Sequence, residues 1–410
     1  MVYISGDNDL EPFVVQDLEQ ELAAVGSGPD VQVVALADRG PGYDRRRGDW
    51  ENTLLFHVTR GMQATPQAAV ADWGERNMGD PRTLIDFVTW TKANYPAEHY
   101  ALFFWGHGWN WHPSWVMQDD TDGDTLDMHE MEAALPALGF LDFVGYDGCN
   151  MASAEVLEMW HGHASAVAAS QEFVGWEGVE YDRVLAALAA KPGMGADAAA
   201  IATCRSTRAT HERTWSAVAV DARWSALEDA IAAWADALLA GQPAHRAEYD
   251  AAFCAAQSFV QDQIDLDLYD LAVERERAVG DPLVRVRSRT VRQAVDAVVL
   301  DERHTAGYPG VHGISIYLIP DARAKRPTES AITGGSVSRA LPAGMNHRCI
   351  RGLRQPDAAR TAARPRATIP QPLPPCPNPR AGSRTQRTRA PARGRRRCAL
   401  RAPARPALRA

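Results

Sequence analysis

Tyr100-Ala101-Leu102-Phe103-Phe104-Trp105-Gly106-His107-Gly108 and Phe140-Leu141-Asp142-Phe143-Val144-Gly145-Tyr146-Asp147-Gly148-Cys149-Asn150 are two stretches with one pattern. Each is a short, nearly continuous apolar run that stops at a glycine beside a reactive side chain. Runs of this length and continuity read as strands covered on both faces, the central strands of a parallel sheet. In open α/β sheets, functional groups collect just beyond the carboxyl ends of the strands. His107 and Cys149 are therefore expected at one edge of one sheet.

The surrounding pattern alternates strand with helix. Val2-Tyr3-Ile4 reads as a strand, followed by a helix capped by Asp9, with Pro12 in its first turn and Gly26-Ser27-Gly28 at its end. Residues 31–37 and 53–59 are further strand candidates. Asp80-Pro81 opens a helix with Leu84, Phe87 and Val88 turned inward, closed by Tyr95-Pro96. Helix 154–161, strand 164–169 and helix 182–190 come next. Residues 194–300 are Ala-rich and mostly helical around a strand at 215–220, and 313–319 is the last strand. This order predicts an α/β sandwich on a mostly parallel sheet.

The formal charge of −9 over 410 residues hides two unlike parts. Residues 321–410 hold 21 of the 43 basic residues, three of the 52 acids and 13 of the 26 prolines, a net of +18 against −27 for residues 1–320. The tail lacks sustained periodicity and is expected to be disordered. It reads as a high-GC gene translated out of frame in preference to a basic arm for polyanions. No apolar stretch reaches the ~18 residues needed to span a bilayer, and no signal peptide opens the chain, so the compartment stays open. Six cysteines, none closer than 22 residues to the next, form neither a disulfide framework nor a Cys-x-x-Cys metal site.

The chemistry these residues can support is nucleophilic catalysis. An imidazole facing a thiol assists thiolate formation and later protonates the leaving group. Glycine, without a Cβ, lets the backbone approach a substrate closely, and the N–H groups of Gly108 and Cys149 could then hold an oxyanion. The competing reading is a buried, inert cysteine and a turn histidine.

Asp7-Asn8-Asp9-Leu10-Glu11, Phe104-Trp105-Gly106-His107-Gly108, Asp147-Gly148-Cys149-Asn150-Met151-Ala152, Ala169-Ser170-Gln171-Glu172, Asp267-Leu268-Tyr269-Asp270-Leu271 and Gly313-Ile314-Ser315-Ile316-Tyr317 resemble the clostripain family of cysteine peptidases. The strings occur in chain order from residue 2 to about residue 320. The expected organisation is thus a peptidase domain over 1–320, with its Ala-rich helical portion at 194–300, and a tail over 321–410. The resemblance implies the α/β/α sandwich of caspases, legumains, gingipains and separases, with His107 and Cys149 as a dyad that hydrolyses peptide bonds through an acyl-enzyme. It implies a preference for Arg or Lys before the scissile bond, read by Asp147 and, at the end of the following strand, Glu172. A carboxylate pair suits a guanidinium; the bland readings are a turn-forming Asp147 and a solvated Glu172.

Other features are read more plainly. Asp9 is expected to cap the first helix. The acidic loop 119–127 does not match an EF-hand and is expected to be a solvated turn before a helix at 128–135, with an irregular calcium site left open because some relatives depend on calcium. No cofactor is required for the chemistry. The pairs His107/His112 and His161/His163 lack the spacing of zinc peptidases, and no catalytic metal is expected. Trp105, Trp109, Trp111 and Trp115 are candidates for a groove wall or for core packing.

The resemblance also leaves three differences. Relatives begin a few residues earlier and are often secreted, so the N-terminus reads as truncated. Residues 108–148 contain no Lys or Arg, so no self-cleavage is expected there. The family pattern stops after Pro320. Expected partners are proteins or peptides with basic residues, with no membrane and no nucleic acid. The alternatives are an inactive peptidase-like binding protein and polyanion binding through the tail.

Overall fold

The computed structural model describes residues 1–111, 115–207, 213–259 and 265–318. His112, Ile319, Pro320 and the basic tail lie outside the described residues, and with them the expectations placed there. In chain order the strands are β1 (Val2–Gly6), β2 (Val34–Arg39), β3 (Leu54–His57), β4 (Ala71–Asp72), β5 (Ala101–Trp105), β6 (Trp115–Asp119) and β7 (Asp124–Asp127). They continue as β8 (Leu141–Asp147), β9 (Ala164–Ala169), β10 (Thr214–Ala219), β11 (Ser258–Phe259), β12 (Asp265–Asp267), β13 (Val299–His304) and β14 (Ser315–Tyr317). The helices are α1 (Glu11–Gln16), α2 (Ala23–Val25), α3 (Pro81–Asn94), α4 (Met128–Leu138) and α5 (Ala154–Trp160). They continue as α6 (Tyr181–Ala190), α7 (Ala196–Ser206), α8 (Trp224–Ala255), α9 (Leu268–Ala278) and α10 (Pro282–Val298).

The main sheet has the order β13-β10-β9-β8-β5-β1-β2-β3-β4. Its centre, β9-β8-β5-β1-β2, is parallel, and antiparallel strands extend it at both sides. Side chains alternate between the faces, as a period of two requires. Tyr3, Leu36, Phe104, Val144 and Tyr146 join one core with Leu84 and Phe87 of α3, Leu135 of α4 and Trp234 of α8. Ile4, Ala35, Phe103 and Phe143 join the other with Val14 of α1, Tyr181 of α6 and Ala200 of α7. Helices thus cover both faces of a mostly parallel sheet, the predicted α/β/α arrangement.

Several elements differ from their sequence reading. The first helix is interrupted: α1 runs into a π-helical stretch, Asp17–Leu22, before α2. Its N-cap is Leu10 and makes no side-chain capping bond, so Asp9 does not cap it. Strand 31–37 moves to Val34–Arg39, because pairing Val2 with Ala35 and Gly6 with Arg39 sets the register. The acidic loop is a hairpin, β6–β7, whose last residue Asp127 caps α4 in a capping box with Glu130. Strand β14 leaves the main sheet and pairs in a small one with order β11-β12-β14. Among the described residues, no helix is long and apolar enough to cross a membrane.

Candidate active site

The strand order turns back at β1: the chain moves from β1 to β2 on one side and later places β5 on the other. The carboxyl ends of β1 and β5 therefore flank a topological switch point, the crevice where open α/β sheets bind ligands. β5 delivers His107 to one side of this crevice and β8, in register through Trp105 and Asp147, delivers Cys149 next to it.

The two glycine-bearing loops touch through their backbones. A Cβ placed on Gly108 would meet the Cys149 carbonyl oxygen at 2.8 Å and Met151 Sδ at 3.0 Å. One placed on Gly148 would meet the Gly106 carbonyl oxygen at 2.9 Å and the Gly108 nitrogen at 3.6 Å. The glycines were expected to let a substrate approach; here they let one loop approach the other. Gly108 bridges Val116. The flanking bonds run from the Met117 N–H to His107 O and from the Trp109 N–H to Trp115 O, so the Gly108 N–H points away from the hairpin.

His107 is partly exposed, and its Nε2 lies 2.6 Å from Asp9 Oδ1. That carboxylate takes the place of the helix cap expected of Asp9 and holds the ring through one nitrogen, which leaves Nδ1 for other chemistry. Cys149 is half-buried, and its Sγ accepts a 3.3 Å bond from the Val174 N–H. Cys204 shows the contrast: it lies on α7, fully buried against β10, and burial pushes its thiol up to about 12, the behaviour of a structural cysteine.

The expected specificity carboxylates stand at the two ends of one loop. Asp147 is buried and accepts from the Val179 N–H with both oxygens at 3.2 Å, and burial pushes it up to about 6. Glu172 is buried too; its Oε1 accepts from the Phe173 N–H and lies 3.4 Å from Arg213 Nη1. Its carbonyl accepts from the Asn150 N–H. Residues 172–179 thus pass over Cys149 with an acid at each end, and Trp176, stacked on Phe13, is exposed at their middle. Of the four tryptophans, Trp105 is buried with its Nε1 donating to Asp17 Oδ2, whereas Trp109 stacks on Trp115 and leans on Phe173 beside His107.

Sequence reading missed three features: the Asp9 carboxylate on His107, the Val174 N–H on the thiol, and a group of carboxylates next to the crevice. Asp7, Asp38, Glu75 and Asp119 place one oxygen each within 4.8 Å of one another. Burial and mutual repulsion push Asp119 up to about 6 and Glu75 up to about 7. Of the acidic loop, only Asp119 takes part. The signal for Asp9 was its position just past β1, the neighbour of β5.

The clostripain family model matches residues 2–240. The chain belongs to the clostripain family. Clostripain of Hathewaya histolytica is 27% identical over 214 residues, which cover 45% of this chain and 40% of that protein. The match to this clostripain thus spans less than half of the relative's length. Among solved structures, a secreted C11 cysteine protease from Bacteroides thetaiotaomicron, in complex with an irreversible peptide inhibitor, superposes with a TM-score of 0.60 at 19% identity. That match covers 81% of this chain and 95% of the other. An inactive zymogen C11 protease from Parabacteroides distasonis gives a TM-score of 0.55 at 16% identity, over 77% and 90% of the two chains. At these identities the clostripain-family structures speak for the fold.

Proposed function

We propose that this clostripain-family chain is a cysteine endopeptidase that cleaves after Arg or Lys, with His107 and Cys149 as its dyad. The observation that carries the reading is the backbone contact between the Gly106–Gly108 and Gly148–Cys149 loops, with His107 already oriented by Asp9.

The Cys149 thiol gives its proton to His107 Nδ1, the nitrogen that Asp9 leaves available. The sulfur bonds to the scissile carbonyl carbon, and the carbonyl electron pair moves to oxygen, where the Gly108 and Cys149 N–H groups donate to it. Collapse of this intermediate breaks the C–N bond, and the departing amine takes the proton from His107. A water then gives its proton to His107, attacks the thioester, and releases the acid and the thiol.

Asp147 and Glu172 supply the negative charge for a basic side chain under the 172–179 loop, and the −27 of residues 1–320 draws cationic peptides toward it. The test compares fluorogenic peptides that differ only in Arg, Lys or Gln before the scissile bond, with parent protein and Cys149→Ala. Cleavage of the Arg and Lys peptides that disappears in Cys149→Ala supports the reading. Equal rates in the two proteins, or binding without turnover, overturn it.

A further inference from the structure

We infer that Trp109, Trp115 and Phe173 form a subsite for the substrate residue that follows the scissile bond, selecting an aromatic or large apolar side chain there. This subsite presupposes the peptidase reading and adds a second point of selection to it.

The three rings are not part of the folding core. Trp105 belongs to one core and Trp111 packs against the other, so packing accounts for both. Trp109, Trp115 and Phe173 are each half-buried and belong to neither core among the described residues. They pack on one another. Trp109 lies parallel to Trp115 with centroids 6.3 Å apart, and Phe173 tilts against Trp109 at 5.6 Å. Rings left half-exposed beside a reactive side chain are what a binding surface needs, since an apolar partner can still remove them from water.

Backbone and buried polar bonds fix the row. The Trp109 N–H donates to Trp115 O, and Gly108 bridges Val116. Asn110 follows in the left-handed region at φ 52° and is buried. Its Nδ2 donates to Asp265 Oδ1, and its Oδ1 accepts from the Trp111 N–H. Phe173 comes from the 172–179 loop, next to the Val174 N–H that meets Cys149 Sγ. The Arg213 guanidinium stands over the Phe173 ring, 5.6 Å from its centroid, and ends the row on that side.

Chemistry assigns the occupant. The departing amine takes its proton from His107, so its nitrogen comes within hydrogen-bond reach of the imidazole, about 3 Å. The residue bearing that nitrogen is the one after the scissile bond, and its side chain starts two bonds further on. Trp115 lies edge-on to His107 with centroids 6.3 Å apart, so this side chain meets the tryptophan pair. Residues before the scissile bond lie on the acyl side, which Cys149 Sγ and the 172–179 loop hold. Two parallel indoles favour an aromatic or large apolar side chain, through ring contact and area removed from water.

The experiment gives the full chain equal amounts of two peptides that share Arg before the scissile bond and carry Phe or Gly after it. The product ratio, read by mass spectrometry, is the ratio of the two kcat/KM values whatever fraction of the protein is active. The parent is expected to favour the Phe peptide by about tenfold, and Trp109→Ala to bring the ratio below about threefold. Trp115→Leu keeps the test open should Trp109→Ala fail to fold, and lowers the ratio in the same direction. A second pair places Phe or Gly before the Arg instead; its ratio is expected to stay the same in parent and variants, which a general loosening of the site would not allow. Cleavage by the parent without preference for Phe, a preference that survives in every variant that folds, or equal changes at both positions overturns the subsite and leaves the peptidase reading standing. No cleavage of any of these peptides by the parent sinks both, so the two failures are told apart.

Discussion

The contact between the loops after β5 and β8 and the carboxylate group beside β1 are neighbours at the same sheet edge, and they are built in opposite ways. The first is made by backbone: two glycine-bearing loops in contact, each carrying one reactive side chain at its tip. The second is made by side chains from four segments whose like charges resist being together. Backbone contact costs little and holds position, so substitutions of the reactive side chains there act on chemistry, and only a Cβ forced into the contact itself costs stability. Converging charges cost stability, so substitutions there act on folding. The difference teaches where function and stability each reside at this edge.

The largest expected effect falls on the first region. His107→Ala lowers kcat/KM for an Arg peptide by about 10²–10⁴-fold, whereas Glu75→Gln leaves it within about tenfold; kinetics on both variants checks this. Gly108→Ala places a methyl 2.8 Å from the Cys149 carbonyl oxygen and costs about 1–3 kcal/mol of stability in urea denaturation through overpacking, with loss of activity. Asp9→Asn keeps a hydrogen-bond acceptor on His107 but removes its charge, and kcat falls about 10–100-fold with KM little changed.

The smallest effect concerns pH. Burial pushes Glu21 up to about 8, Glu155 to about 7 and Asp147 to about 6. Groups raised in the folded state add stability below about pH 4, and this contribution is lost as pH rises through 6–8. Thermal melts are expected to show Tm falling by a few degrees over that interval, with a flatter profile in Glu21→Gln, whose amide oxygen can still accept from the Tyr181 N–H.

These regions were not equally legible in the sequence. The strings around His107 and Cys149 are local, so apolar run, glycine and reactive residue could be read together and placed at strand ends. Strand and helix assignments over residues 81–105 and 128–190 held for the same reason, each carrying its own periodicity and punctuation, whereas the β6–β7 hairpin between them was read as a solvated loop. Asp9 was misread because a capping preference is local, whereas its bond to His107 spans 98 residues and depends on β1 lying beside β5. The carboxylate group was invisible for that reason too. Loop 119–127 drew attention as a run of acids, yet the fold turns only Asp119 inward and recruits Asp7, Asp38 and Glu75 from elsewhere. Small strands such as β12 and β13 were submerged in an Ala-rich helical reading, since three to six residues carry little periodic signal.

The central claim is that His107 and Cys149 act as one unit, and the rate of Cys149 alkylation by iodoacetamide at pH 7 tests it most directly. Peptide mapping by mass spectrometry separates Cys149 from the other five cysteines. The account predicts rapid modification of Cys149 in the parent, slowed at least tenfold in His107→Ala, because the imidazole that takes the thiol proton is gone. Equal rates in the two proteins would contradict it.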